Sequence, residues 1–115
     1  MKLLIVDEDV NSVILLKRLI RSIRPDCMIS TATDGYSAYI SFLKTVESPF
    51  DIIITEQYLA ELHGDELARK IKILNPEVKV ICLSSDTLYN KEFDIILTKP
   101  LTRRIILETI IKLYK

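Results

Sequence analysis

"FDIIITE", residues 50–56, decides how this chain is read. Phe50, Ile52, Ile53 and Ile54 are apolar, and Asp51 is the sole interruption before the run gives out. A short continuous apolar run suits a strand buried on both faces; a strand with one wet face would alternate polar and apolar side chains. The run ends on one carboxylate, Glu56, and the chain turns polar through "QYLAELHG", residues 57–64. A buried strand that stops on an acid puts that acid at its carboxyl end, where open parallel sheets carry their chemistry.

Outward from this strand, the period of the apolar residues alternates. "KLLIV", residues 2–6, reads as a first strand. Val13, Leu16, Leu19, Ile20 and Ile23 then recur at helical spacing from Asn11 to Ile23, with Asp9 or Asn11 as cap and Pro25 as stop. "CMISTA", residues 27–32, reads as a second strand. A helix opens after Asp34-Gly35 and carries Ala38, Phe42 and Val46 four residues apart. "GDELARKIKIL", residues 64–74, is a helix ended by Asn75-Pro76. "VKVICLS" (78–84) and "FDIILT" (93–98) are the fourth and fifth strands, and "TRRIILETIIKLYK" (102–115) closes the chain as a helix. This alternation implies an α/β fold: a doubly wound, five-stranded parallel sheet with helices on both faces, one domain over residues 1–115.

Composition narrows the function. The chain has 115 residues, 49% of them apolar, enough for one buried core. Sixteen basic and sixteen acidic residues balance, which argues against nucleic acid or a membrane as a direct partner of this domain. No apolar run is long enough to span a bilayer, and "MKLLIVDEDV" is too short in apolar residues for a signal peptide, so a cytoplasmic location is expected. Cys27 and Cys82 sit beside apolar runs and read as buried, reduced thiols. Two glycines, Gly35 and Gly64, cannot build a phosphate-cradling loop.

The residues just beyond each strand carry the signal. Asp7, Glu8 and Asp9 follow the first strand, Glu56 ends the third, Ser84, Ser85 and Asp86 follow the fourth, and Lys99-Pro100 follows the fifth. Taken singly, such residues are usually caps, turns or solvated loops. Together they bring acids, a hydroxyl and an ammonium to one sheet edge. Crowded carboxylates need a cation to stay ionised, an all-oxygen cluster suits Mg2+, and a lysine with a hydroxyl suits a phosphoryl group.

On "LLIVDED", "FDIIITE" with "HG" eight residues after the acid, "VICLSS" and "ILTKPL", the sequence resembles the receiver domain of two-component response regulators along its full length. The resemblance implies a flavodoxin-like sheet in the order 2-1-3-4-5 and a cytoplasmic signalling module rather than an enzyme. It implies phosphorelay chemistry: an aspartate ending strand three accepts a phosphoryl group from a histidine kinase, an acidic pair holds Mg2+, and a Ser/Thr and a Lys hold the phosphoryl oxygens. Carried over, Asp7 and Glu8 fill the acidic pair, Ser84 the hydroxyl, Lys99 the lysine, and Glu56 falls at the acceptor position. Mg2+ on Asp7, Glu8 and Glu56 is what the resemblance leaves room for as a cofactor. The Lys99-Pro100 peptide is expected to be cis, as is usual in that family.

The departures are specific. One extra methylene moves a carboxylate by about 1.5 Å, and a misplacement of about 1 Å can cost about 10²-fold in phosphoryl transfer. Glu56 is therefore expected to be a poor acceptor and to reach into the phosphoryl space near Lys99 and Ser84 as a fixed negative charge. Asp51, at the far end of the strand, and Asp86, beyond the fourth strand, do not readily replace it. Glu8 stands where an aspartate is usual, Ala60-Glu61 where Pro-Gly is common, and Ile96 where the aromatic switch residue sits. Ser84 and Lys99 are fifteen residues apart, so the fourth helix is expected to be shortened to a turn, with Tyr89 its only aromatic. His63 reads as an exposed loop residue. In the last helix Ile106, Ile110 and Leu113 make one apolar stripe and Leu107, Ile111 and Tyr114 a second, with Ile105 in the polar arc; the surplus fits a homodimer surface or deep packing. The leading reading is an atypical receiver that works without phosphorylation, with a histidine kinase or downstream effector as protein partner. The alternative is a working phospho-acceptor with self-catalysed, Mg2+-dependent phosphotransfer.

Overall fold

The computed structural model of the protein describes residues 1–45, 47–85 and 90–114. Five parallel strands, β1 (Lys2–Val6), β2 (Met28–Ala32), β3 (Ile52–Glu56), β4 (Lys79–Ser84) and β5 (Ile95–Thr98), form one sheet in the order β2-β1-β3-β4-β5. Four helices, α1 (Val10–Ile23), α2 (Gly35–Leu43), α3 (Gly64–Leu74) and α4 (Arg103–Tyr114), are present among the described residues.

Strand alternation sorts the core into two layers. Leu4, Val6, Ile53, Val80 and Cys82 pack with Ala38 and Phe42 of α2 and Leu67, Ala68 and Ile71 of α3. Leu3, Ile5, Ile52, Ile54, Ile81 and Leu83 pack with Leu16 and Ile20 of α1 and Ile106 and Ile110 of α4. The central run is buried on both faces as its sequence predicts: Ile52 to Thr55 are almost wholly inaccessible. β2 differs. It is an edge strand, and Met28, Ser30 and Thr31 are exposed. Apolar content alone does not bury a strand; a neighbour on each side does.

Asp9 begins α1 by accepting from the amides of Asn11 (3.0 Å) and Ser12 (3.5 Å) and from the Ser12 hydroxyl (3.1 Å). Asp34 begins α2 through the Ser37 amide (2.7 Å) and hydroxyl (2.8 Å). Each satisfies amides that have no partner within the helix. Bonds to the charged form hold both carboxyls below their ordinary pKa, led by the Ser12 hydroxyl for Asp9 and the Ser37 amide for Asp34. α2 stops at Leu43, short of the expected Val46, which lies outside the described residues.

One device recurs in the sequence. Phe50-Asp51-Ile52-Ile53 leads into β3 and Phe93-Asp94-Ile95-Ile96 leads into β5, the aspartate standing just before each strand. In both, the aspartate Oδ2 accepts from a backbone amide at the start of the adjacent strand, Lys2 for Asp51 and Val80 for Asp94, each at 2.7 Å. The repeated tetrapeptide ties β3 to β1 and β5 to β4 in the same way.

Between β4 and β5 the expected shortened helix falls largely on residues 86–89, outside the described residues, as do Asp86 and Tyr89. Ile96 is half-buried against the α2–α3 layer. In α4 the first stripe faces the core, with Ile106 and Ile110 buried and Leu113 half-buried; Ile111 and Tyr114 of the second are exposed, while Leu107 and Ile105 are half-buried. Both cysteines are buried free thiols. Burial, with Glu56 and Asp65 adding their negative charge, pushes the Cys82 thiol up to about 12. Among the described residues no helix is long and apolar enough to cross a membrane.

Candidate functional site

The carboxyl edge of the sheet gathers Asp7 beyond β1, Glu56 at the end of β3, Ser84 at the end of β4 and Lys99 just after β5. Asp7 is buried; its amide donates to the Ala32 carbonyl (3.0 Å), and its Oδ1 accepts from the Asp9 amide (2.9 Å). Both contacts follow from the parallel pairing of β1 with β2 and the turn into α1. Glu8, one residue on, is exposed.

The backbone of Glu56 is held from several sides. The Thr55 hydroxyl donates to the Glu56 carbonyl (2.8 Å). The Gly64 amide donates to the Gln57 carbonyl (2.8 Å), and Gln57 Oε1 accepts from the Asp65 amide (3.0 Å). A Cβ at Gly64 would lie 2.3 Å from the Glu56 carbonyl oxygen, so only glycine lets α3 start against the end of β3. In the loop between them Glu61 has φ of 70°, the left-handed region that glycine enters without cost. Glu61 therefore carries a backbone cost that glycine would not.

The opposite wall is equally fixed. The Lys99 amide donates to the Ser84 carbonyl at 2.9 Å, and the Lys99-Pro100 peptide is cis, as expected. Ser84 itself is buried. From this anchor Lys99 Nζ lies 2.5 Å from Glu56 Oε1, with the side chains 35% and 21% exposed. The two side chains form a contact ion pair.

Two carboxylates share this one cation. Burial raises the Glu56 pKa, and Asp7 adds to it, against the pull of Lys99. Burial lowers the affinity of Lys99 for its proton, but Glu56, Asp7 and Asp9 together outweigh it, and its pKa is raised. Glu56 is therefore a carboxylate held under strain of charge, tied to a fully protonated lysine.

The sequence-derived site residues thus fall into two sets. Asp7, Glu56, Ser84 and Lys99 share the edge, and Glu56 approaches Lys99 as its length suggests. Glu8 is exposed, and among the described residues no three Asp, Glu, His or Cys side chains form a group able to hold a metal. Oε1 of Glu56 is held by the Lys99 ammonium, so a Mg2+ ion on Asp7, Glu8 and Glu56 would require Glu8 to turn in. His63 is exposed, sits at the start of α3 without a capping bond, and meets Tyr58 edge-on at 5.9 Å, away from this chemistry. Sequence reasoning missed Asp65, whose Oδ2 accepts from Asn90 (3.1 Å) and ties the segment before β5 to α3. These side-chain bonds outweigh its partial burial and lower its pKa. No sequence signal marked that contact. It also missed the role of Asp94, which the repeat of Phe-Asp-Ile-Ile could have disclosed.

A 2-1-3-4-5 parallel sheet whose strand ends carry a buried acid, a second acid, a serine and a lysine defines the receiver class of signalling domains. Residues 3–111 match the response regulator receiver domain family, and the chain belongs to it. It is 25% identical over 83 residues to the transcriptional regulatory protein ZraR of Salmonella typhimurium; that match spans 72% of this chain and 18% of the relative. Among solved structures, a chain of the CheX–CheY–BeF3–Mg2+ complex from Borrelia burgdorferi superposes with a TM-score of 0.85 at 22% identity, covering 100% of this chain and 90% of that one. The response regulator protein TrrA from Thermotoga maritima, in complex with Mg2+ and BeF, gives 0.82 at 24% identity, covering 97% of each.

Proposed function

We propose that this receiver domain of a two-component system signals without phosphorylation of its strand-end carboxylate. The observation that carries the reading is the 2.5 Å contact between Glu56 Oε1 and Lys99 Nζ. An acid one methylene longer than aspartate reaches the lysine that would otherwise steady an incoming phosphoryl oxygen, and supplies a fixed negative charge in that place. The reacting oxygen is then ion-paired and displaced from in-line attack, and displacement of about 1 Å can cost about 10²-fold in rate. The domain acts as a binding module, not an enzyme, toward a cytoplasmic protein partner, a histidine kinase or a downstream effector. Exposed Ile111 and Tyr114 of α4 support a homodimer as a further mode of association.

The competing reading, a phospho-acceptor in which Asp7, Glu8 and Glu56 gather Mg2+, draws on relatives solved with Mg2+ and BeF3. It requires Glu8 to turn in and Lys99 to release Oε1. Incubation with acetyl phosphate and Mg2+, followed by intact-mass measurement, separates the two. The proposal expects no added mass; a stoichiometric gain of about 80 Da, one phosphoryl group, on Glu56 would refute it. Glu56→Asp, treated in parallel, is the matched control for a carboxylate of ordinary length.

A further inference from the structure

Beside the ion pair lies a cleft that the reading above does not use. Its volume is about 430 Å3, and it is formed between α1 and the segment that follows β5. Leu15, Leu16 and Leu19 of α1 make one wall, Pro100 and Leu101 the other, and Leu83 at the end of β4 the buried floor. Two polar side chains reach it, Ser12 and Lys99. Small-molecule sites share this make-up: roughly 300–1,000 Å3, mostly apolar walls and a few convergent polar groups.

We propose that this cleft binds a neutral, largely apolar small molecule that carries one hydrogen-bond acceptor. Charge decides the class. The ammonium of Lys99 has three N–H groups, and its contact with Glu56 leaves donors for a second acceptor. An anionic head is disfavoured because Lys99 is already ion-paired with Glu56, and Asp7 and Asp9 add negative charge to the same edge. A cationic head would have to lie against Lys99 itself. A carbonyl or ether oxygen takes a lysine proton without either penalty. The Ser12 hydroxyl spends its proton on Asp9 Oδ2, so Lys99 is the donor left for a ligand acceptor. The apolar body of the ligand would cover Leu15, which is 55% exposed. Bound there, it would touch the lysine that holds Glu56, an input needing no phosphoryl transfer; that consequence rests on the proposed function, whereas the binding does not.

The test uses three matched probes on the full chain: 2-acetylnaphthalene (neutral acceptor), 2-naphthoate (anion) and 2-naphthylmethylammonium (cation). Binding is followed by amide shifts in 1H–15N spectra. The expected result is saturable shifts at Leu16, Leu19, Leu83 and Leu101 for the ketone, with each charged probe weaker by at least about tenfold, or about 1.4 kcal/mol. Leu15→Trp, at an exposed wall position, should fill the cleft and abolish the shifts while leaving the remaining spectrum in place. Absence of saturable shifts, equal binding of the naphthoate, or unchanged binding in Leu15→Trp would overturn the proposal. An acetyl phosphate adduct on Glu56 would bear on the proposed function alone and leave this outcome unaffected.

Discussion

Two lysine–carboxylate pairs stand at opposite ends of the same sheet, and they differ in what else the carboxylate has. Lys72 Nζ lies 2.6 Å from Asp94 Oδ2 at the amino end of β5; Lys99 Nζ lies 2.5 Å from Glu56 Oε1 at the carboxyl end of β3. Exposure is similar in both. Asp94 Oδ2 also accepts from the Val80 amide, so that pair is one part of a strand register. Among the described residues Glu56 Oε1 meets the ammonium, with a second acid, Asp7, adding its charge. The same chemical pair closes the fold at one end and concentrates unbalanced charge at the other. The difference marks the site.

The comparison is sharpest when each lysine is removed. Lys99→Ala leaves Glu56 and Asp7 facing each other without a cation. Breaking a fully buried pair costs about 3–5 kcal/mol; this one is about a third exposed, so a loss of about 2 kcal/mol in urea unfolding at pH 7.5 is expected. Lys72→Ala leaves Asp94 bonded to Val80 and should cost less than about 1 kcal/mol. Equal losses would erase the distinction between the two ends.

Glu56→Gln tests the excess charge by its pH dependence. The folded-state pKa of Glu56 is raised, so its contribution to stability is fully present below the ordinary glutamate value and is lost as pH rises through the raised one. The wild type should therefore lose stability relative to Glu56→Gln between acid and neutral pH. A gap that moves the other way would mean that Lys99 dominates burial. The matching substitution at the other end, Asp94→Asn, serves as the reference. The smallest expected effect is in the loop that leads away from Glu56: Glu61→Gly should stabilise by about 0.5–1 kcal/mol, because it relieves a positive φ at the cost of added freedom in the unfolded chain. No change in the unfolding midpoint would show that the turn carries no strain.

Much of this architecture was legible before any coordinates, for a physical reason. Ile52 to Ile54 suits a strand wet on neither face, and the alternation around it implies a parallel sheet with helices on both faces. The sequence offered Asp9 or Asn11 as the cap of α1 and a helix opening after Asp34-Gly35, and in the structure Asp9 and Asp34 are the caps. The site was legible to the extent that strand ends fix positions: Glu56, Ser84 and Lys99 are placed by where their strands stop. What pattern does not carry is side-chain direction. Nothing in "DED" tells that Asp7 is buried beside Glu56 while Glu8 is exposed, nor that Asp65 ties Asn90 to α3. Equally, the exposure of Met28 and Thr31 follows from the place of β2 at the sheet edge, a property of neighbours rather than of the segment.

The most direct test of the central claim is a double-mutant cycle on Glu56→Gln and Lys99→Met, read by urea unfolding at pH 7.5. The cycle cancels the burial terms of each side chain and leaves their coupling. The ion pair predicts a favourable coupling of about 1 kcal/mol or more. Additive effects, within about 0.3 kcal/mol, would mean that Glu56 and Lys99 do not hold each other, and the account of the site would fail.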